Sequence, residues 1–195
     1  LMKLANCHRF NPCGHQGVAI CLAQVHFWAH GGLARRVSEV SPICMGHEAA
    51  GVVHCIGEGV TSLVPGDRVA IEPGVPCRRC KRCKAGRYNL CPNMRFASDP
   101  PTDGMLCRYF KTQEDFAYRL PDHMSLQEGV LLEPLSVAVH SLRLAALRPG
   151  QSVLIQGSGT TGLLMAATAS AFGASKIFIT DINEAKLDFA KKFVS

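Results

Sequence analysis

The chain has 195 residues, of which 47% are hydrophobic and 18% charged, so it can bury the core of one or two domains. This composition excludes disordered, collagen-like and coiled-coil chains. The net charge is +6. Six of the 21 basic residues lie between Cys77 and Cys91, where there is no acidic residue, so 15 basic and 15 acidic residues remain in the rest of the chain. We expect no nucleic-acid partner, because Tyr88 is the only aromatic residue in this basic run.

The sequence predicts no membrane span and no secretion signal. The uncharged stretch 157–175 is interrupted by Gly, Ser and Thr, and it lacks the apolar density that a bilayer requires. Ten cysteines could suggest a disulfide framework, but Cys77, Cys80 and Cys83 are too close together to find separate partners easily. We therefore expect a reducing, cytoplasmic location.

Patterns in the first 120 residues predict loops and short strands. Residues 1–17 contain Asn-Pro and Gly without periodicity, which indicates a loop or a ragged terminus. The segments 50–56 and 67–71 are β-prone and are separated by Gly and Pro, and 107–120 is a further β stretch. This arrangement is typical of a β barrel or sandwich.

Two helices are predicted to follow, separated by a break in the backbone. Ser125 and Glu128 form a capping box that begins a short helix to about Leu132. Because proline is accepted in the first turn of a helix but not inside it, we expect a break at Glu133 and a second helix over 134–147.

The remainder of the chain alternates strand and helix. We predict strands at 152–156 and 176–180, and helices at 160–172 and 183–193. This βαβα order is the beginning of a doubly wound parallel sheet, which normally has several more strands. We expect one domain over 1–148 and the first part of a second over 149–195.

The strongest motif is a set of four cysteines within 15 residues, with Gly86 available to turn the loop. The spacing is suited to tetrahedral zinc that has no open position, so we expect a structural site. The alternative, a run of free surface thiols, is normally avoided by proteins. The predicted ligands, in the lobe 77–91, are Cys77, Cys80, Cys83 and Cys91.

A glycine motif predicts a dinucleotide site. Gly157, Gly159 and Gly162 follow a predicted strand and open a predicted helix, which suits a tight turn beneath a pyrophosphate. Asp181 comes 19 residues after Gly162. A carboxylate there would accept hydrogen bonds from the ribose hydroxyls and repel a 2′-phosphate, so NAD is favoured over NADP. A glycine-rich turn in an unrelated βα unit is the alternative. The predicted cofactor-binding residues are Gly157, Gly159, Thr160, Thr161, Gly162 and Asp181.

The cysteine lobe and the glycine motif occur together with seven further segments: 46–51, 65–69, 71–74, 86–92, 94–96, 100–104 and 132–140. In this order the segments resemble the zinc-containing medium-chain dehydrogenases. The polyol branch, sorbitol and xylitol dehydrogenases, is the most similar, and within it the fungal xylitol dehydrogenases. The resemblance covers about residues 18–195 and implies a GroES-like, β-rich zinc domain followed by an incomplete Rossmann domain.

Spacing alone does not identify a second metal site, but the resemblance implies one. It gives a catalytic zinc held by Cys21, His47 and Glu48, with water or the substrate hydroxyl in the fourth position and Glu133 in the outer shell. Phe27 and Phe96 resemble residues that line the substrate pocket. The implied reaction is oxidation of a sugar alcohol, xylitol or sorbitol, to the ketose with hydride transfer to NAD, in a protein that forms homo-oligomers.

The chain also departs from the family pattern. After Cys21 the family usually has Gly-Ser-Asp, whereas this chain has Leu22, Ala23 and Gln24, so the hydroxyl that begins the proton relay is absent. The family's chain is nearly twice as long. The alternative hypothesis is therefore a truncated zinc-binding remnant without dehydrogenase activity.

Overall fold

The computed structural model describes residues 11–19, 22–31, 37–38 and 42–194. The chain forms two compact units, Leu1–Leu131 and Leu132–Ser195. This division lies earlier in the chain than the domain boundary predicted after residue 148. The reason is that the helix over 132–144 packs within the second unit. None of the helices in the described ranges is long and apolar enough to cross a membrane.

The first unit is built mainly from short strands. In chain order its elements are β1 (Asn11–Ala19), α1 (Leu22–His30), β2 (Glu48–Val53), β3 (Arg68–Ile71), β4 (Gly74–Val75), α2 (Lys81–Lys84), β5 (Arg95–Phe96), β6 (Tyr109–Thr112), β7 (Ala117–Arg119) and α3 (Leu126–Val130). Five strands form one antiparallel sheet in the order β6-β1-β2-β3-β7, and β4 pairs with β5.

The prediction of a loop over residues 1–17 is wrong for residues 11–17, which belong to β1. This strand pairs on both sides: Cys13 lies opposite Val53 of β2 and Phe110 of β6. Hydrogen bonds from two neighbouring strands satisfy the backbone even where Pro12 and Gly14 are poor strand formers. A shift in the register between His15 and Gly17 accommodates the irregular sequence.

The sheet and the loops around it enclose a small apolar core. Val53, Val69 and Met105 are the largest side chains in it that are almost fully buried. Each contributes about 1.5–3 kcal/mol relative to an exposed position. Helix α3 packs against β1, β2 and β3. Ala49, at the start of β2, belongs to the core.

The predicted capping box is confirmed. The Ser125 side chain accepts a hydrogen bond from the Glu128 N–H, and the Glu128 carboxylate accepts one from the Ser125 N–H. The predicted break at Glu133 is wrong, because α3 ends at Val130 and the next helix already begins at Leu132. Pro134 is the third residue of that helix, where a missing N–H costs no helical hydrogen bond.

The second unit has the predicted βαβα order. Its elements are α4 (Leu132–Leu144), β8 (Ser152–Gln156), α5 (Thr160–Ala171), β9 (Lys176–Thr180) and α6 (Glu184–Phe193). β8 and β9 are parallel, with Val153 opposite Ile177, and α5 packs against α4. Helix α4 ends three residues before the predicted position, and Ala146 then adopts a positive φ of 52°.

Candidate metal and dinucleotide sites

The four predicted zinc ligands of the lobe lie together. Their sulfur atoms are all within 4.8 Å of one another, with Cys80 Sγ 3.5 Å from Cys83 Sγ and 3.9 Å from Cys91 Sγ. Zinc–sulfur bonds of about 2.3 Å in a tetrahedron require sulfur atoms about 3.8 Å apart. The four thiols therefore fit a tetrahedral zinc ion.

Local backbone structure produces this arrangement. Arg78 has a positive φ of 62°, which turns the chain after Cys77, and α2 carries Cys83 one turn beyond Cys80. Hydrogen bonds from the backbone N–H groups of Arg79 and Cys80 lower the pKa of Cys77 to about 6, whereas burial raises the pKa of Cys83 to about 12. A thiolate is thus available at Cys77 near neutral pH to begin metal binding.

His47 and Glu48 lie where an irregular segment enters β2. The backbone of residues 44–46 is held by the segment 104–106, whose Gly104, Met105 and Leu106 N–H groups each donate a hydrogen bond of 2.7 Å to it. Gly104 is required here, because a Cβ atom would lie 2.5 Å from the carbonyl oxygen of Gly46. The position of His47 therefore depends on two distant stretches of sequence.

The environment of His47 and Glu48 suits metal ligands. Glu48 is 8% exposed, and a ligand atom of each residue lies within 4.8 Å of the other. Burial lowers the pKa of His47, so that the imidazole is neutral and has a nitrogen lone pair to offer near pH 7. Burial also raises the pKa of Glu48.

The structure describes three of the other four residues that were predicted for the catalytic site. Phe96, in β5, contacts the His47 ring edge-on with ring centroids 5.2 Å apart. Phe27 is half-buried on α1. Glu133 lies in the first turn of α4, in the second unit. Cys21 lies outside the described residues.

The glycine turn has the geometry that the motif predicts. Gly157, with a φ of 97°, follows β8, and Gly159 is the N-cap of α5. A Cβ atom on Gly162 would lie 1.9 Å from the carbonyl oxygen of Gly157, so this position accepts only glycine. Thr160 and Thr161 are the exposed first residues of α5, where backbone N–H groups point out of the helix.

Asp181 follows β9 and faces this turn. Its Oδ2 accepts hydrogen bonds from the N–H and hydroxyl of Ser158, at 2.7 and 3.0 Å, and its Oδ1 accepts one from the Asn183 N–H at 2.9 Å. These bonds lower the pKa of Asp181 to about 2, so the group is a carboxylate at all physiological pH values. Ser158 was not among the predicted residues, although it lies within the glycine motif and its hydroxyl was the available signal.

Comparison with known proteins identifies the family of the chain. Residues 15–122 match the alcohol dehydrogenase GroES-like domain. Over 176 residues the chain is 56% identical to an Aspergillus clavatus protein named probable D-xylulose reductase A, covering 90% of this chain and 49% of that protein. The chain thus spans about half the length of the curated relatives it matches.

Solved structures have the same fold. Galactitol-1-phosphate dehydrogenase from Escherichia coli aligns with a TM-score of 0.86 and 30% identity over 99% of this chain and 54% of its own. An E. coli oxidoreductase of unknown specificity aligns with a TM-score of 0.87 and 38% identity over 94% of this chain and 53% of its own. The predicted fold class, a GroES-like domain followed by the beginning of a Rossmann domain, is therefore confirmed. The chain belongs to the alcohol dehydrogenase family with a GroES-like domain.

Proposed function

We propose that the whole protein is a zinc- and NAD-dependent dehydrogenase that oxidises a secondary alcohol of a sugar alcohol, with xylitol as the first candidate. The choice of a polyol is supported by relatives named as D-xylulose reductases and by a structural neighbour that acts on galactitol 1-phosphate. We further infer a cytoplasmic location, since the described cysteine side chains form no disulfide.

The observation that carries the proposal is the pairing of β1 with β2 at the buried acid. Ala19, the last residue of β1, lies opposite Glu48. Cys21 follows Ala19 by two residues in the sequence, so the chain can extend no more than about 7 Å between them. The pairing therefore supports a ligand set of Cys21, His47 and Glu48, which combines one thiolate, one neutral imidazole and one carboxylate.

This donor set suits a catalytic rather than a structural zinc ion. Three protein ligands leave one coordination position of a zinc ion open. Zinc held by these ligands would supply the Lewis acidity that favours loss of the alcohol proton. The Cys21 thiolate and the Glu48 carboxylate would balance the charge of the metal, and the His47 imidazole needs no deprotonation to bind. The resemblance implies that Glu133 would hydrogen-bond the water in the open position and orient it.

The aromatic residues and the glycine turn have separate roles. Phe96, beside His47, and Phe27 would exclude water from the reacting carbon, which protects the hydride during transfer. The N–H groups of Thr160 and Thr161 would bind the pyrophosphate of NAD, and Asp181 would exchange its bond to the Ser158 hydroxyl for one to a ribose hydroxyl. A 2′-phosphate would meet the charge of Asp181, which disfavours NADP.

The proposal is tested on the whole protein that contains this chain. Reduction of NAD is measured with xylitol, sorbitol and arabinitol, each with NADP as the comparison. We expect turnover that depends on a polyol and prefers NAD, and we expect Asp181→Ala to relax the preference for NAD. Zinc-loaded protein that reduces NAD with none of the three polyols would contradict the proposed activity, and unchanged discrimination in Asp181→Ala would contradict the role of Asp181.

A further inference from the structure

Two cysteines outside both proposed metal sites lie close together near His47. Cys44 is three residues before His47, and Cys107 directly follows the segment 104–106 that holds the Cys44–Gly46 backbone. The Cys44 Sγ contacts the carbonyl oxygen of Leu106, the residue directly before Cys107, which makes the two cysteines neighbours. Neither residue belongs to a group of three or more metal-ligating side chains in the described part of the chain.

The surroundings hold both thiols in place. Cys44 Sγ lies 3.0 Å from the carbonyl oxygen of Leu106, and Cys107 Sγ lies 3.2 Å from that of Tyr109. The Cys44 N–H also donates a hydrogen bond of 2.8 Å to Asp103. The backbone on both sides is fixed by these hydrogen bonds, which keep the two cysteines close together.

Both residues are only partly buried, so a small oxidant can reach them. Burial raises the pKa of Cys44, and it raises that of Cys107 to about 11. Reaction through the thiolate is therefore slow at neutral pH.

We propose that Cys44 and Cys107 are an oxidation site at which a hydroperoxide forms a reversible disulfide, tying the segment that leads to His47 to the segment 104–107. The proposal goes beyond the dehydrogenase reaction and does not depend on it. Neither cysteine has a part in the proposed metal or cofactor binding, so the pair can change state while both sites are intact.

The chemistry balances with hydrogen peroxide as the oxidant. The Cys44 thiolate attacks one peroxide oxygen, the O–O bond breaks, and a sulfenic acid forms while the other oxygen leaves as water after taking up the thiol proton. The Cys107 sulfur then attacks the Cys44 sulfur, the S–O bond breaks, and a second water leaves with the Cys107 proton. Two thiols lose two electrons and two protons, and one peroxide becomes two waters.

The test is peptide mapping of the purified, zinc-loaded protein after treatment with hydrogen peroxide. Remaining thiols are alkylated, the protein is cut with trypsin without reduction, and zinc is measured in parallel. Trypsin leaves Cys44 and Cys55 in peptide 37–68, and it leaves Cys107 alone in peptide 96–108. We expect these two peptides to be joined, with a mass two hydrogens below their sum, and to separate again after addition of a dithiol.

Matched variants identify the bond. Cys44→Ser should abolish the joined peptide, whereas Cys55→Ser, which changes a cysteine in the same peptide, should keep it. Retained zinc in each variant shows that the protein is folded. A joined peptide that persists in Cys44→Ser would overturn the proposal, and so would full alkylation of Cys107 in wild-type protein at a peroxide dose that already releases zinc from the four-cysteine lobe.

Discussion

Replacing Gly162 by alanine tests the turn between β8 and α5. The added Cβ would lie 1.9 Å from the Gly157 carbonyl oxygen, whereas real Cβ contacts are essentially never below 3.0 Å, so the atoms must separate by at least 1.1 Å. The neighbour is backbone and is fixed by a hydrogen bond of 2.7 Å from the Gly157 N–H to Thr180. Overpacking of this kind costs about 3 kcal/mol, at the upper end of the usual range.

The matched control is alanine at Gly159, in the same motif. A Cβ there meets nothing within 4 Å, and its φ of −76° is accessible to alanine. Urea unfolding of both variants should show a loss of about 3 kcal/mol for Gly162→Ala and a change within about 1 kcal/mol for Gly159→Ala. Equal free energies of unfolding for the two variants would refute the steric argument.

Three further substitutions test local features of the structure. Ser98 has a φ of 64° and a buried hydroxyl without a hydrogen-bond partner among the described residues. Ser98→Gly should therefore raise the free energy of unfolding by about 1 kcal/mol. A lower free energy of unfolding in this variant would contradict the argument. Ser125→Ala removes the N-cap of α3 and should cost about 1 kcal/mol in urea unfolding; no change would show that the capping box is dispensable. The pKa of Asp181 is lowered to about 2, so its contribution to stability is present above its ordinary pKa of 3.8 and is lost as the pH falls towards 2. Thermal unfolding should therefore depend less on pH between about 5 and 2 in Asp181→Asn than in wild type; identical profiles for the two proteins would contradict the assignment.

Features encoded by neighbouring residues could be predicted from the sequence. The strand bounds 152–156 and 176–180 are the predicted ones, because Gly-rich turns separate short apolar runs there. The capping box at Ser125 needs only residues three apart. The four cysteines of the lobe likewise lie within one short loop, so their spacing already indicated their assembly.

Features that depend on distant segments could not be predicted in this way. β1 is a strand because two other strands pair with it, not because of its own composition. The proximity of Cys44 and Cys107 depends on the hydrogen bonds between residues 44–46 and 104–106. The role of Ser158 appears only when β9 brings Asp181 to the glycine turn. In each case tertiary pairing decided the structure.

The central claim is that the chain has a catalytic metal site as well as a structural one, and zinc content tests it most directly. Zinc per chain is measured on the purified protein and on the variants Cys21→Ala and Cys80→Ser. The account predicts two zinc ions in wild type, one at each ligand group, and one in each variant. A single zinc ion in wild type that is unchanged in Cys21→Ala and lost in Cys80→Ser would contradict it, because only the four-cysteine lobe would then bind metal.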